Sequence, residues 1–550
     1  MNYRFIKYMV PACLAAAIIV GLSSCADDLD QGIQDEQTTT TLDTEALLAK
    51  IYGSLHLTGQ QGGSDDPDMS QFDEGNSAWY RRIFEANELC SDECIWTWQS
   101  DEGIPELTNI SWNSSHGYNE LTYYRMMYNI TLCNFYLDQT ASDESATTKQ
   151  YRAEVRFIRA LNYFHYMDLY GKAPFKDFYD TTTLPTEMSR TELFDWVIGE
   201  LTAINGEDSD SDEQLIDNAN NDDNYGRADK VAANLLLARI YLNAEIYTGT
   251  AQWQKAYDYA EAVINSGYYS LCTTAQNGYS AYEQLFMGDN GENDYARQEI
   301  IFPIRCDANT SRSYGGSLYP IASCAGSGTP DQGLSGAQWT CNRAREALVL
   351  LFFSSLDDVP ISNDIDDVIA AAGDDRCILY SGCDENGDNQ RTVTTDEKTT
   401  FTSGLGILKW SNLNAVSGIY PSDNSWPNTD IPYFRLAEAY LTLAEANYRL
   451  GGDNSVTVAA INALRSRANA STLVAATEQD LIDEWGREFY FEGRRRSDLV
   501  RFGLFTSGSY LWDWKGGSYT GNGVNSTYNI YPIPYTELSA NENMTQNPGY

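Results

Sequence analysis

The chain has 550 residues, with 36 Lys and Arg against 78 Asp and Glu, a formal charge of −42 and 13% aromatic residues. Length alone allows about two to four domains. The charge speaks against nucleic acid, whose protein partners carry basic patches, and against docking on anionic headgroups; it suits a soluble surface facing water.

The chain opens MNYRFIKYMVPACLAAAIIVGLSSCADD. Arg4 and Lys7 precede an apolar run from Met9 to Leu22. This reads as a secretory signal, too short and wrongly flanked for a membrane-spanning helix. Leu22-Ser23-Ser24-Cys25 resembles a bacterial lipobox, so residues 1–24 are read as a lipoprotein signal peptide and Cys25 as the lipidated first residue. Acyl chains such as palmitate on Cys25 would anchor the protein, because each buried methylene adds about 0.8 kcal/mol. Residues 25–43 are acidic and Thr-rich without apolar period, a flexible tether. One domain is expected over 44–550.

The stretch CIWTWQSDEG sets Trp96 and Trp98 two positions apart. In an extended chain both indoles point to one side. A core strand would continue that face with apolar residues, yet Ser100 and Glu102 follow. The residues alone leave core and exposed platform open. Just before, Cys90 and Cys94 have a loose metal-like spacing that no second Cys pair or His cluster answers, since His56, His116 and His165 lie far apart in sequence. The cysteines other than Cys13 and Cys25 form no framework, and buried or partly oxidised thiols are expected.

Helical periodicity follows in several places. AEVRFIRALNYFHYMDLYG puts Phe157, Leu161 and Phe164 on one face and closes at Gly171. Ala233, Leu236, Leu237, Ile240, Tyr241 and Ala244 form a second face, and Ala256, Tyr259, Ala260, Val263 and Ile264 a third that stops at Asn265-Ser266-Gly267. Leu436, Ala439, Tyr440, Leu443 and Ala444 repeat the pattern; after Gly451-Gly452-Asp453 it resumes at Val456, Ala459, Ala460, Ala463 and Leu464. Such pairs resemble tetratricopeptide repeat units, which must stack to bury their apolar faces. Long polar stretches at 202–226, 268–342 and 372–430 separate them, the second holding the strand-like QEIIFPIR. Loops of this length carry function or are disordered. Near the end, Arg494, Arg495 and Arg496 read as structural: Glu488 and Glu492 stand at spacings that can pair with them, and Trp485 and Phe489 bury the other face.

AEVRFIRALNYFHYMDLYGKAPF, YFRLAEAYLTLAEANYRLGG, EWGREFYFEGRRRSDLVRFG and YPIPYTELSANENMTQNPGY resemble the SusD/RagB family of glycan-binding outer-membrane lipoproteins, from the lipobox to the last residue. DEGNSAWYRRIF, ELCSDECIWTWQ, RSYGGSLY and WDWKGG bring the chain near the family's starch-binding member. The resemblance implies an all-α fold of about four tetratricopeptide-like helix pairs with large irregular insertions, the ligand loops falling at about 60–120 and 268–342. It implies non-catalytic binding of starch or maltooligosaccharides at the cell surface and delivery to a SusC-like TonB-dependent porin. It also implies a site: Trp98, Tyr314 and Trp339 as an aromatic arc, Arg81, Asp73 and Asp101 as hydrogen-bonding groups, and Trp96 as support behind the platform. Trp339 stands one residue further along than the pattern has it, and Asp101 replaces an Asn, which trades an amide donor for a charge. A structural calcium site is implied at Asn293, Asn428 and Asp430, with Gly291 where an Asp is expected and Asp289, Glu292 and Asp294 adjacent.

Two rival readings remain. One keeps the fold and the lid role but changes the cargo to another glycan or a glycopeptide. The other is a glycoside hydrolase, which needs two carboxylates about 5–10 Å apart with split pKa values; a chain this acidic neither supports nor excludes such a pair.

Overall fold

The computed structural model describes residues 42–59, 62–63, 67–69, 75–208, 211–326, 328–384, 386–421 and 424–550. Cys25, Asp73 and the proposed signal and tether before residue 42 lie outside them. The chain divides into Met1–Leu47 and Leu48–Tyr550.

Helices dominate. In chain order the elements that matter here are α1 (Thr44–Gly53), α2 (Trp79–Glu88), β1 (Cys94–Trp96), α3 (Gly117–Gln139), α4 (Ala146–Tyr170), α5 (Arg190–Ile204), α6 (Lys230–Leu242), α7 (Trp253–Asn265), β2 (Ile300–Ile304), α8 (Leu318–Cys324), β3 (Asn342–Ala344), β4 (Ile431–Arg435), α9 (Leu436–Arg449), α10 (Asn454–Arg467), α11 (Glu478–Phe489) and α12 (Arg495–Arg501). Their ends obey local chemistry. The Ser145 hydroxyl accepts from the Thr148 amide to start α4, and Gly171, at φ 67°, ends it in the left-handed conformation that glycine tolerates. Ser189 with Glu192, and Thr477 with Asp480, form capping boxes on α5 and α11.

Consecutive helices pack together: α3 on α4, α4 on α5, α6 on α7 and α9 on α10. α7 also packs on α9, which joins the middle of the chain to its C-terminal part. Small residues permit the approach; Ala233, Ala256, Ala260, Ala439 and Ala444 are all fully buried. Among the described residues, strands form only two-stranded ladders. The strand-like QEIIFPIR becomes β2, antiparallel to β4.

The basic run behaves differently from its expected pairing. It is structural, but α11 stops at Phe489, and Phe491 and Gly493 then take positive φ values of 58° and 78°. That break ends the helical register, so Glu488 and Glu492 do not meet the three arginines. Arg494 pairs with Asp498 at 3.0 Å, Arg495 with Asp92 at 2.8 Å and Arg496 with Asp168 at 3.5 Å. Glu488 instead joins Arg376, Arg435 and Arg467 in a buried cluster.

The nine cysteines in the described residues are free thiols, and eight are buried. Among the described residues no helix is long and apolar enough to cross a membrane.

Candidate functional site

Two neighbouring segments and a third more than two hundred residues further along the chain build one concave surface. The first is the start of α2. Arg81, in its first turn, is 8% exposed and its Nε donates to Glu85 Oε1 at 2.7 Å. Burial pushes the Glu85 carboxyl up, but Arg82 and Arg81 outweigh it and hold the group below the ordinary carboxylate range. Region 60–120, read as a ligand loop, thus contains a regular helix as well as loop.

The second segment is β1 and the turn after it. β1 pairs antiparallel with β3, Trp96 opposite Asn342. The Thr97 amide donates to Cys341 O at 2.7 Å, and the Asp101 amide then closes a turn onto Trp98 O at 3.0 Å. The strand therefore ends before Trp98, so the two indoles part company: Trp96 is 3% exposed and Trp98 36%. The core-or-platform question has a different answer for each residue. Trp96 Nε1 donates to Asp101 Oδ2 at 3.4 Å, and Gln99 Nε2 donates to Trp96 O at 2.7 Å and Thr108 Oγ1 at 3.0 Å.

The third segment is 314–339. Gly315 lets it lie against α2: a Cβ there would stand 1.9 Å from the Ala78 Cβ. Tyr314 beside it packs on Trp426, with centroids 4.9 Å apart. The Trp339 amide donates to Ala322 O at 2.7 Å, which ties it to α8.

These segments enclose a cavity of about 590 Å³. Arg81, Trp96, Trp98, Asp101, Tyr314 and Trp339 all line it, as do Asn76, Glu102 and Tyr118, none of which the sequence marked as a ligand-binding residue. Tyr118 lies under the Arg82 guanidinium at 4.5 Å, and burial pushes its hydroxyl up to about 12. It opens a long helix, and nothing in local sequence marks it as a lining residue. The surface offers aromatic faces, one guanidinium and two carboxylates, which suits a neutral polyhydroxylated ligand. A pyranose lays its C–H bonds on a ring face and hydrogen-bonds charged groups through its hydroxyls.

The calcium candidates lie elsewhere. The Asp430 carboxylate is buried and accepts from the Cys306 amide at 2.8 Å. Asn293 Oδ1 accepts from the Tyr295 amide at 3.0 Å, and Asn428 Oδ1 from the Ala308 amide at 2.9 Å. Gly291 touches Asp430; a Cβ on it would stand 2.5 Å from Oδ2. The fit to calcium is partial: the donors are all oxygens, but each already accepts a backbone amide, and Gly291 adds no carboxylate. Among the described residues no group of three or more His, Cys, Asp or Glu side chains could hold a metal ion.

Comparison with known proteins agrees on one lineage. The SusD family model matches residues 298–550, and a model described as starch-binding, associating with outer membrane, matches residues 28–242. The chain is 46% identical over 576 residues to the starch-binding protein SusD of Bacteroides thetaiotaomicron, covering 100% of both. It is 25% identical to the SusD-like protein P25 of Formosa agariphila, covering 83% of this chain and 84% of that one. Among solved structures it resembles surface glycan-binding protein A of B. thetaiotaomicron in complex with laminarihexaose, with TM-score 0.65, 18% identity, and 92% and 98% of the two chains covered. At that identity the likeness speaks for the fold.

Proposed function

This chain belongs to the SusD family, and we propose that it is a non-catalytic cell-surface receptor for starch and maltooligosaccharides. The observation that carries this reading is the cavity that Trp98, Tyr314 and Trp339 line together. Three aromatic side chains around one concavity support a ligand with a curved face, such as an α-glucan helix; a flat β-glucan would touch fewer of them. Arg81 and Asp101, with Asp73 from the segment before, are the groups proposed for the sugar hydroxyls. Trp96 supports Trp98 from behind.

The wider role follows the family. Cys25 carries the lipid that holds the protein at the outer membrane, exposed to the outside, and the captured oligosaccharide passes to a SusC-like TonB-dependent porin. The lipobox Leu22-Ser23-Ser24-Cys25 supports the anchor. Co-purification of a TonB-dependent barrel with the chain from outer membranes tests the partner. Calcium, held by Asn293, Asn428 and Asp430, is a structural part of the same reading, supported by the oxygen-only donor set. A melting temperature that calcium raises and EDTA lowers tests it.

A second reading keeps the fold and changes the glycan. Asp101 and Glu102, two carboxylates in the lining, favour it. Calorimetric titration with maltoheptaose, against a linear β-glucan, separates the two: binding of maltoheptaose alone supports the α-glucan receptor, and no binding by folded protein removes it. Shorter products after incubation with maltooligosaccharides would overturn the non-catalytic role.

A further inference from the structure

We propose that Tyr319, a residue that does not reach the cavity, is the positioning residue that fixes the aromatic platforms relative to one another; this rests on the α-glucan reading of the site. Tyr319 sits in α8 and is completely buried. Its ring contacts one lining side chain from each of the three segments. It lies parallel to Trp96, with planes 11° apart and centroids 6.0 Å apart. It is 6.2 Å from the Trp339 ring at 58°. The Arg81 guanidinium stands over it at 4.6 Å and over Trp339 at 5.8 Å. Phe84 closes against its edge at 5.5 Å.

Trp98 and Trp339 come from segments more than two hundred residues apart and have no ring contact with each other. The path between them runs through Trp96 and Tyr319. Trp98 meets Trp96 edge to face, Trp96 stacks on Tyr319, and Tyr319 meets Trp339. A ligand that bridges both indoles reads the angle between them, and that angle is set by the buried ring. A ligand short enough to use one indole does not. Removing the Tyr319 ring therefore weakens long chains more than short ones, because the entropy of re-ordering two loose platforms is charged only when both are used.

The experiment is calorimetric titration of wild type, Tyr319→Leu, Trp339→Ala and the double variant with maltoheptaose and maltotriose. The expected result is about a tenfold or larger loss for maltoheptaose in Tyr319→Leu, with maltotriose changed less than about twofold. In the Trp339→Ala background the same substitution should add little, because a residue that acts through another is non-additive with it. Tyr319→Phe, which keeps the ring, should restore maltoheptaose binding. Equal losses for both ligands, or additivity with Trp339→Ala, would overturn the proposal. Oxidation of indoles by N-bromosuccinimide, mapped by peptide mass spectrometry, reads the positioning without ligand. Trp96, protected in wild type, should become reactive in Tyr319→Leu, or in Tyr319→His if the former does not fold, and stay protected in Tyr319→Phe. Trp96 protected in all variants overturns the proposal. A wild type that binds neither oligosaccharide removes the α-glucan reading, while the oxidation result still decides the role of Tyr319.

Discussion

Trp98 stands edge-on to Trp96, their planes 81° apart and their ring centroids 5.8 Å apart. The buried indole braces the exposed one, and the exposed one contributes little to the core. Trp98→Ala should therefore cost about 2 kcal/mol or more of maltoheptaose binding, the range of an interface hot spot. The melting temperature should stay near wild type, as for surface changes within about 0.5 kcal/mol. Full retention of affinity in calorimetry would remove Trp98 from the site.

Asp101→Asn should tighten binding of neutral glucan several-fold. The side chain keeps an acceptor for Trp96 Nε1, regains two amide donors for sugar hydroxyls, and sheds a charge whose desolvation opposes binding. Weaker binding in the variant would mean that the carboxylate is the group the ligand needs.

Gly315→Ala should lower both stability and affinity. Its Cβ would meet the Ala78 Cβ at 1.9 Å and Gly75 O at 3.2 Å, so the segment carrying Tyr314 must lift from α2. Overpacking of this kind costs about 1–3 kcal/mol. Thermal melts and maltoheptaose titration read the two effects; an unchanged pair would show that the segment shifts freely.

Acid should destabilise the fold through His56 and His165. Burial lowers His56 from its ordinary 6.5 to about 4 and His165 to about 3. The unfolded chain takes up these protons below pH 6.5 and the folded chain does not. Stability from each is thus complete above 6.5 and is lost as pH falls towards the folded value, by about 1.4 kcal/mol per pH unit. Asp229, raised by burial to about 6, acts with the opposite sign in part of that window. The measurement is therefore the difference in slope between wild type and His165→Gln in urea melts from pH 7 to 4. Identical slopes would mean that the imidazole ionises in place.

Glu488→Gln should be severely destabilising. The carboxylate is fully buried and accepts from Arg435 Nη1 at 2.6 Å and Arg376 Nη1 at 3.0 Å, and from Arg467. Burial pushes its pKa up, but Arg467, Arg435 and Arg376 together pull it far below the ordinary range. Removing one partner of a buried cluster costs about 3–5 kcal/mol, because the remaining charges stay desolvated. A loss under 1 kcal/mol in denaturant melts would show that water reaches the cluster.

The sequence by itself determined the helical scaffold. The apolar faces of α4, α6, α7, α9 and α10, with Gly171, Gly267 and Gly451 at their ends, are local periodicities and stop signals, and neighbouring residues suffice to set them. Local chemistry also marked Trp96 and Trp98 as unusual, and family resemblance selected Tyr314, Trp339, Arg81 and Asp101. The residues alone left both indoles open and the resemblance implied the division between them; only the tertiary structure shows why Trp96 turns inward while Trp98 stays out. That depends on the hydrogen bond from Thr97 to Cys341 and the turn after it, which join residues far apart in the chain. The arginines of 494–496 likewise find partners in Asp92, Asp168 and Asp498, once the backbone break after Phe489 ends the helical register. Tyr118 and Tyr319 carry no local signal, since a cavity wall or a buried ring between three segments exists only after those segments have packed. Short-range propensity is written in adjacent residues; long-range side-chain geometry is set by packing, which no window of sequence contains.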